Sequence, residues 1–228
     1  VSPWPEKPSV KPERTVKLTV VQHEGNCNPE PLAHERFARL LLKNTKTALE
    51  ISGPVPADQL PGGAASVAVL TGTRAFALPA QQKAALKAFI EGGGLLIVSA
   101  AGGSAGEAKD FDASARKLLD ELFGADKLRA LATTSPLFQI KGMEIESVKY
   151  RPMTRRKLGG IKGPNLRAVM ADDGRILVLY SSEDLTAGLV GYPAYGVDGY
   201  DPGEGDEGGS AYEIMRNIVL FAAKPAKG

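Results

Sequence analysis

The chain has 228 residues, 43% of them hydrophobic and 24% charged, enough for one sizeable core and ordinary for a folded globular protein. Lys and Arg number 28 against 26 Asp and Glu, a formal charge of +2, and so weak a bias makes no electrostatic case for a nucleic-acid or membrane-surface partner. The single cysteine, Cys27, excludes an internal disulfide framework and any zinc site built from several cysteines, and no apolar run reaches the roughly 20 residues that span a bilayer.

Residues 1–14 carry Pro3, Pro5, Pro8 and Pro12, which withhold donors and fix φ, so they read as an extended arm outside the core. Trp4 leaves two readings, a mobile tail or a strap that docks in a groove of this or a neighbouring subunit. The opening Val1-Ser2-Pro3-Trp4-Pro5 is neither a basic nor an apolar leader, and the expectation is a processed, exported protein, periplasmic or extracellular, with a cytoplasmic one as the alternative. A single α/β domain is expected over 15–223, with 224–228 as a tail.

Apolar alternation predicts a first strand over 15–23, with Val16, Leu18 and Val20 on one face and Val21 on the other. Pro29 and Pro31 suit the entry to a helix with Phe37, Leu40 and Leu41 as its stripe. A short strand follows over 48–52, then a connecting loop over 53–63 and a third strand over 66–70. A helix starting near Pro79 presents Leu86, Phe89 and Ile90 and ends at Gly92-Gly93-Gly94. The run 95–98 reads as a buried strand feeding a glycine-rich elbow. Asp112 is the expected N-cap of the next helix, whose apolar face is Ala115, Leu118, Leu119, Leu122 and Phe123. Strands alternating with helices imply right-handed crossovers and a parallel sheet.

The second half changes character. A strand is expected over 145–150, and 166–170 with 175–180 flank Asp173-Gly174, a hairpin signal in which both turn residues would take positive φ. A glycine- and acid-rich loop over 188–209 leads to a last helix with Ser210 and Glu213 as a capping box and Ile214, Ile218 and Phe221 as its buried stripe.

Polar residues at the inferred strand ends nominate a crevice: His23 and Glu24 after the first strand, Thr71 and Thr73 after the third, Ser99 and Ser104 at the elbow, and Asp184 after the hairpin. Each also has a bland reading, since strands have to end in polar turns. His23 and Glu24 are adjacent and point to opposite faces, which works against a base with its orienting partner. His34 reads as a solvated helix residue. Asp184 reads as a brace for its turn through backbone amides. The elbow 102–106 could offer amides to an anion but lacks the spacing and the Lys of a phosphate loop, and the dinucleotide fingerprint is absent. Cys27, between two asparagines and at no dyad spacing from either histidine, reads as a bystander. Asp198, Asp201, Glu204, Asp206 and Glu207 could face a hard cation but fit no EF-hand, and a solvated acidic loop is the simpler reading. No metal, cofactor or catalytic residue is assigned.

The first strand leading to a Pro-flanked helix, then Val69-Leu70-Thr71-Gly72-Thr73, then Ala88-Phe89-Ile90-Glu91-Gly92-Gly93-Gly94-Leu95-Leu96-Ile97, resembles the class I glutamine amidotransferase-like superfold. Within it the chain is most similar to a bacterial family called domain of unknown function 4159. Phe111-Asp112, Ser135-Pro136-Leu137-Phe138, Asp173-Gly174-Arg175, Tyr180-Ser181-Ser182-Glu183-Asp184-Leu185 and Asn217-Ile218-Val219 follow that family's order, so the likeness runs from about Thr15 to Ala223. It implies a three-layer flavodoxin-like or amidotransferase-like parallel sheet flanked by helices, with a C-terminal β-hairpin and long loops, and carries no established activity. Amidotransferases place a nucleophilic cysteine on the elbow and a His-Glu pair later. Here the elbow is Ala100-Ala101-Gly102-Gly103 and no histidine follows His34, so glutaminase chemistry is excluded. The family's histidine before Pro136 is replaced by Ser135.

Three function classes follow. The first is a non-catalytic binding or assembly module, with a protein partner or self-association expected and no nucleic acid. The second is a hydrolase with Ser99 or Ser104 as nucleophile, or with Glu24 and Asp184 holding a metal. The third is a small-ligand or carbohydrate sensor using the same crevice. Charge is also segregated: Lys149, Arg151, Arg155, Arg156, Lys157, Lys162 and Arg167 lie in a stretch free of acids, and the stretch 172–213 has ten acids against Arg175 alone. If these stretches cannot meet within one chain, head-to-tail pairing between chains is expected.

Overall fold

The computed structural model describes residues 4–63, 65–106, 108–192, 196–203 and 207–223; Glu204, Asp206 and the tail 224–228 lie outside them. Strand β1 (Arg14–Val21) is followed by α1 (Ala33–Thr45), β2 (Thr47–Val55), β3 (Ser66–Gly72), α2 (Ala80–Glu91), β4 (Leu95–Ala100) and α3 (Lys109–Phe123). Then come β5 (Arg129–Ala130), α4 (Pro152–Leu158), β6 (Leu166–Met170), β7 (Ile176–Ser181), α5 (Thr186–Val190) and α6 (Ser210–Ala222). They build one mixed sheet of order β2-β1-β3-β4-β7-β6-β5. The pairs from β2 to β7 are parallel, and β6 and β5 extend the sheet antiparallel.

Strand alternation decides which layer each side chain joins. Val16, Leu18 and Val20 of β1, Val67 and Val69 of β3, and Leu95 and Ile97 of β4 pack with Phe37, Leu40 and Leu41 of α1, Leu189 of α5, and Ile214 and Ile218 of α6. The intervening Ala68, Leu70, Leu96 and Val98 face Leu86, Phe89 and Ile90 of α2 and Phe111, Ala115 and Leu118 of α3. Helices therefore cover both faces, as continuous apolar strands in a parallel sheet require. Phe37 is fully buried, and its truncation to Ala is expected to cost about 3–5 kcal/mol. The arm joins the same layer: the Arg39 guanidinium of α1 lies 4.9 Å from the Trp4 ring centre and donates to the Pro5 carbonyl at 3.1 Å. Trp4 thus docks on its own chain.

Several expectations need correction. No strand forms over 145–150. Val148 donates to the Lys162 carbonyl, Lys149 to the Ser210 hydroxyl and Arg151 to the Gly199 carbonyl, so loops satisfy this backbone and only Tyr150 bridges to Tyr200. Asp112 is not an N-cap, because α3 begins at Lys109. It sits in the first turn and accepts from the Tyr180 hydroxyl and, at 2.9 Å, from Arg116. At the hairpin only Gly174 has positive φ, the Gly174 amide bonds the Ala171 carbonyl at 3.0 Å, and the register shifts near Met170, a three-residue loop with a bulge. The loop expected over 188–209 instead opens within α5, and Ser210 is the first residue of α6, its N-cap being Gly209. His34 is buried at 2% exposure, because α5 covers that face of α1.

The opposite-charge stretches meet within the chain. Lys157 on α4 donates to the fully buried Asp198 at 2.8 Å and lies 3.7 Å from Glu183, and Thr154 one turn away donates to Asp198 at 2.7 Å. The condition for pairing between chains is not met by these residues. Among the described residues no helix is long and apolar enough to cross a membrane.

Candidate functional site

Parallel strands running the same way bring the ends of β1, β3, β4 and β7 to one edge, where open α/β sheets hold ligands. A cavity of about 440 Å³ lies there. Its polar lining is Asn26 and Glu30 from the β1–α1 loop, Thr73 and Arg74 after β3, and Asp184 after β7, with Ala101 and Gly102 of the elbow between them.

The elbow explains the shape of the floor. Gly102 and Gly103 have φ of +83° and +84°, a conformation open to glycine at little cost. A Cβ on Gly103 would sit 2.2 Å from the Asp198 carbonyl, so only glycine fits, whereas a Cβ on Gly102 would enter open space. The elbow amides of Gly102, Gly103, Ser104 and Gly106 are already spent. Gly102 donates to Asp184 Oδ2 at 2.6 Å, Gly103 to the Ala100 carbonyl at 2.9 Å, and Ser104 to the Ser182 carbonyl at 2.8 Å. The anion cradle considered for 102–106 is therefore filled by the chain's own carboxylate and carbonyls.

Of the residues nominated from sequence, Thr73 and Asp184 line this cavity and the others do not. His23 Nδ1 accepts the Gly25 amide at 3.0 Å, which leaves the proton on Nε2 for the Thr71 carbonyl at 2.8 Å. Its ring packs 4.4 Å from Phe76 and 5.7 Å from Phe111, and burial lowers its basicity despite the Thr71 bond. His23 thus holds the β1 turn against β3. Ser99 is fully buried and accepts the Leu185 amide at 3.2 Å. Thr71 is buried within β3, Ser104 faces the β7 turn through its amide, and Glu24 is exposed.

A family profile described as Domain of unknown function (DUF4159) matches residues 17–223. The chain belongs to the DUF4159 family. No curated protein matches it. Every residue of the cavity lining lies inside the part of the DUF4159 chain that the profile covers.

Asp184 dominates the electrostatics of the DUF4159 crevice. It is 1% exposed, and besides Gly102 it accepts the Ala187 amide at 2.9 Å and the Thr186 hydroxyl at 3.1 Å. Burial pushes its carboxyl up, and the donors from Gly102, Ala187 and Thr186, then Arg151, pull the other way. Glu30, half-buried, is pushed up by burial and by Asp184, with Arg151 opposing. Arg151 itself is buried and donates to the Tyr200 carbonyl at 3.1 Å. Two carboxylates and one buried guanidinium therefore share one region, and the exposed Arg74 stands at the rim.

Glu30, Asn26 and Arg74 were not singled out by the sequence. Glu30 sits between Pro29 and Pro31, and that pattern announced a helix entry rather than a cavity wall. Asp198, considered for a cation, faces Lys157 and Thr154 instead, and Asp201 accepts the Gly203 amide at 3.2 Å. Among the described residues no group of three or more His, Cys, Asp or Glu is placed to hold a metal ion.

Proposed function

We propose that this chain is a non-catalytic binding module whose small polar ligand enters the crevice at the carboxyl ends of β1, β3, β4 and β7. The observation that carries the reading is the cavity of about 440 Å³ lined by Asn26, Glu30, Thr73, Arg74 and Asp184, a size and mixture suited to a small ligand. A flavodoxin-like, amidotransferase-like core is part of the proposal, and the order β2-β1-β3-β4-β7 of its parallel strands supports it. Gly102 has the positive φ and the exposed direction of an elbow nucleophile, and it carries no side chain. Ser99 and Ser104 lie outside the cavity lining, which weighs against a serine hydrolase in this crevice.

Amide-resolved NMR titration with a library of small polar compounds tests the reading. Hits are expected to shift Gly102, Thr73 and Ala187 together. Hits that shift only amides remote from these three, or none at all, would contradict it.

A further inference from the structure

The inner end of the crevice is built to accept hydrogen bonds rather than to donate them. The floor amide of Gly102 is consumed by the Asp184 carboxylate, which lies 1% exposed against the lining. Glu30 adds a second carboxylate, which makes no hydrogen bond among the described residues. Arg151, buried behind them, offsets one negative charge, and Arg74, the only cationic side chain among the described lining residues, is exposed at the rim. An anionic ligand would bring like charge against two carboxylates, and a neutral one would replace the water on Glu30 only with uncharged donors, the weaker kind of hydrogen bond. A single metal ion would leave most of about 440 Å³ empty and lacks three clustered ligands among the described residues.

We propose that the ligand is a small organic cation that turns a protonated amine toward Glu30 and Asp184. The proposal rests on the reading of the crevice as a binding site and adds the charge of what it takes. The amine would donate to Glu30, the charge-assisted kind of hydrogen bond, with the negative charge of buried Asp184 beneath it, while the remainder of the ligand meets Asn26, Thr73 and the rim. Arg74 would then turn away ligands whose positive charge lies at the outer end.

Glucosamine, glucose and glucuronate share one ring and differ in charge, so they separate the two layers of the account. Titrated into the native chain at about pH 7, glucosamine is expected to shift the Gly102, Thr73 and Ala187 amides and the other two to do so at least tenfold more weakly. Glu30→Gln is expected to weaken glucosamine about tenfold and leave amides outside the crevice in place, which shows that the variant is folded. Equal or tighter binding of glucose or glucuronate at the same amides, unaffected by Glu30→Gln, would overturn the cation proposal and leave the binding site standing. Failure of glucosamine to move those amides would overturn the cation proposal, and only failure of the whole library of polar compounds to move them would remove the binding site as well.

Discussion

Asp184, in the turn that follows β7, holds the Gly102 amide of the β4 elbow at 2.6 Å, so the turns after two neighbouring strands are tied by one carboxylate. The same side chain takes the Ala187 amide and the Thr186 hydroxyl at the start of α5. Asp184→Ala would orphan three donors in a site 1% exposed. The expected loss is about 2–4 kcal/mol, a fall in Tm of roughly 5–15 °C. Thermal denaturation checks this. An unchanged Tm, whatever the effect on binding, would contradict the brace.

The two elbow glycines give a paired test. Gly102→Ala adds a methyl to open space at positive φ and is expected to cost about 1 kcal/mol of backbone strain. Gly103→Ala drives its Cβ to 2.2 Å from the Asp198 carbonyl and is expected to prevent folding or lower Tm far more. Equal effects in a thermal melt would mean that the β4 elbow does not pack against the Asp198 segment.

Parallel-strand alternation made the sheet and its two helical layers readable, because each of Val16, Leu18, Val67 and Ile97 has to find a partner face. The crevice edge followed from that topology, and with it Thr73 and Asp184. Glu30 and Arg74 gave no signal, since a cavity wall has no periodicity and its members come from loops far apart in sequence. Helix α4 was missed for a related reason: at seven residues it has little pattern of its own, and it is held by Thr154 and Lys157 reaching Asp198. His34 was misread as solvated because its burial depends on α5, about 150 positions later in the chain.

Lys157 distinguishes the cations of that basic stretch. Its ammonium faces two acids exposed 0% and 1%, while Arg155 and Arg156 are exposed. Lys157→Met is expected to cost about 2 kcal/mol, less than a fully buried pair because Lys157 is 37% exposed. Arg155→Glu with Arg156→Glu is expected to stay within about 0.5 kcal/mol. Urea denaturation of the two variants compares them, and a larger loss in the double Arg variant would contradict the clamp.

His34 sets a pH dependence. Burial pushes its imidazole from the ordinary 6.5 down to about 4, so the unfolded chain takes up a proton before the folded one. Its contribution is fully present above about pH 6.5 and is lost as pH falls toward 4, up to ~3 kcal/mol. Buried Asp184 and Glu183, pushed up, act in the opposite sense, so the difference between His34→Leu and the native chain is the quantity to follow. The native chain is expected to lose stability relative to His34→Leu across this interval. A difference constant with pH would mean that the fold leaves His34 as readily protonated as the unfolded chain does.

The absence of a thiol on the elbow gives a chemical expectation. Incubation with glutamine should release no ammonia above background, because Gly102 has no side chain and Ser99 is buried against the Leu185 amide. Release that depends on Ser99 or Ser104 would contradict it.

The most direct measurement for the crevice as a binding site is ligand-observed NMR with a library of small polar compounds on the native chain and on Gly102→Met. The methionine side chain starts where a Cβ meets open space and extends from the cavity lining, so it fills the site while leaving the core as it is. Compounds that bind the native chain are expected to lose binding in Gly102→Met, with Tm changed by no more than the strain of one positive φ. Compounds that bind both forms equally would show that the crevice is not where this chain takes its ligand.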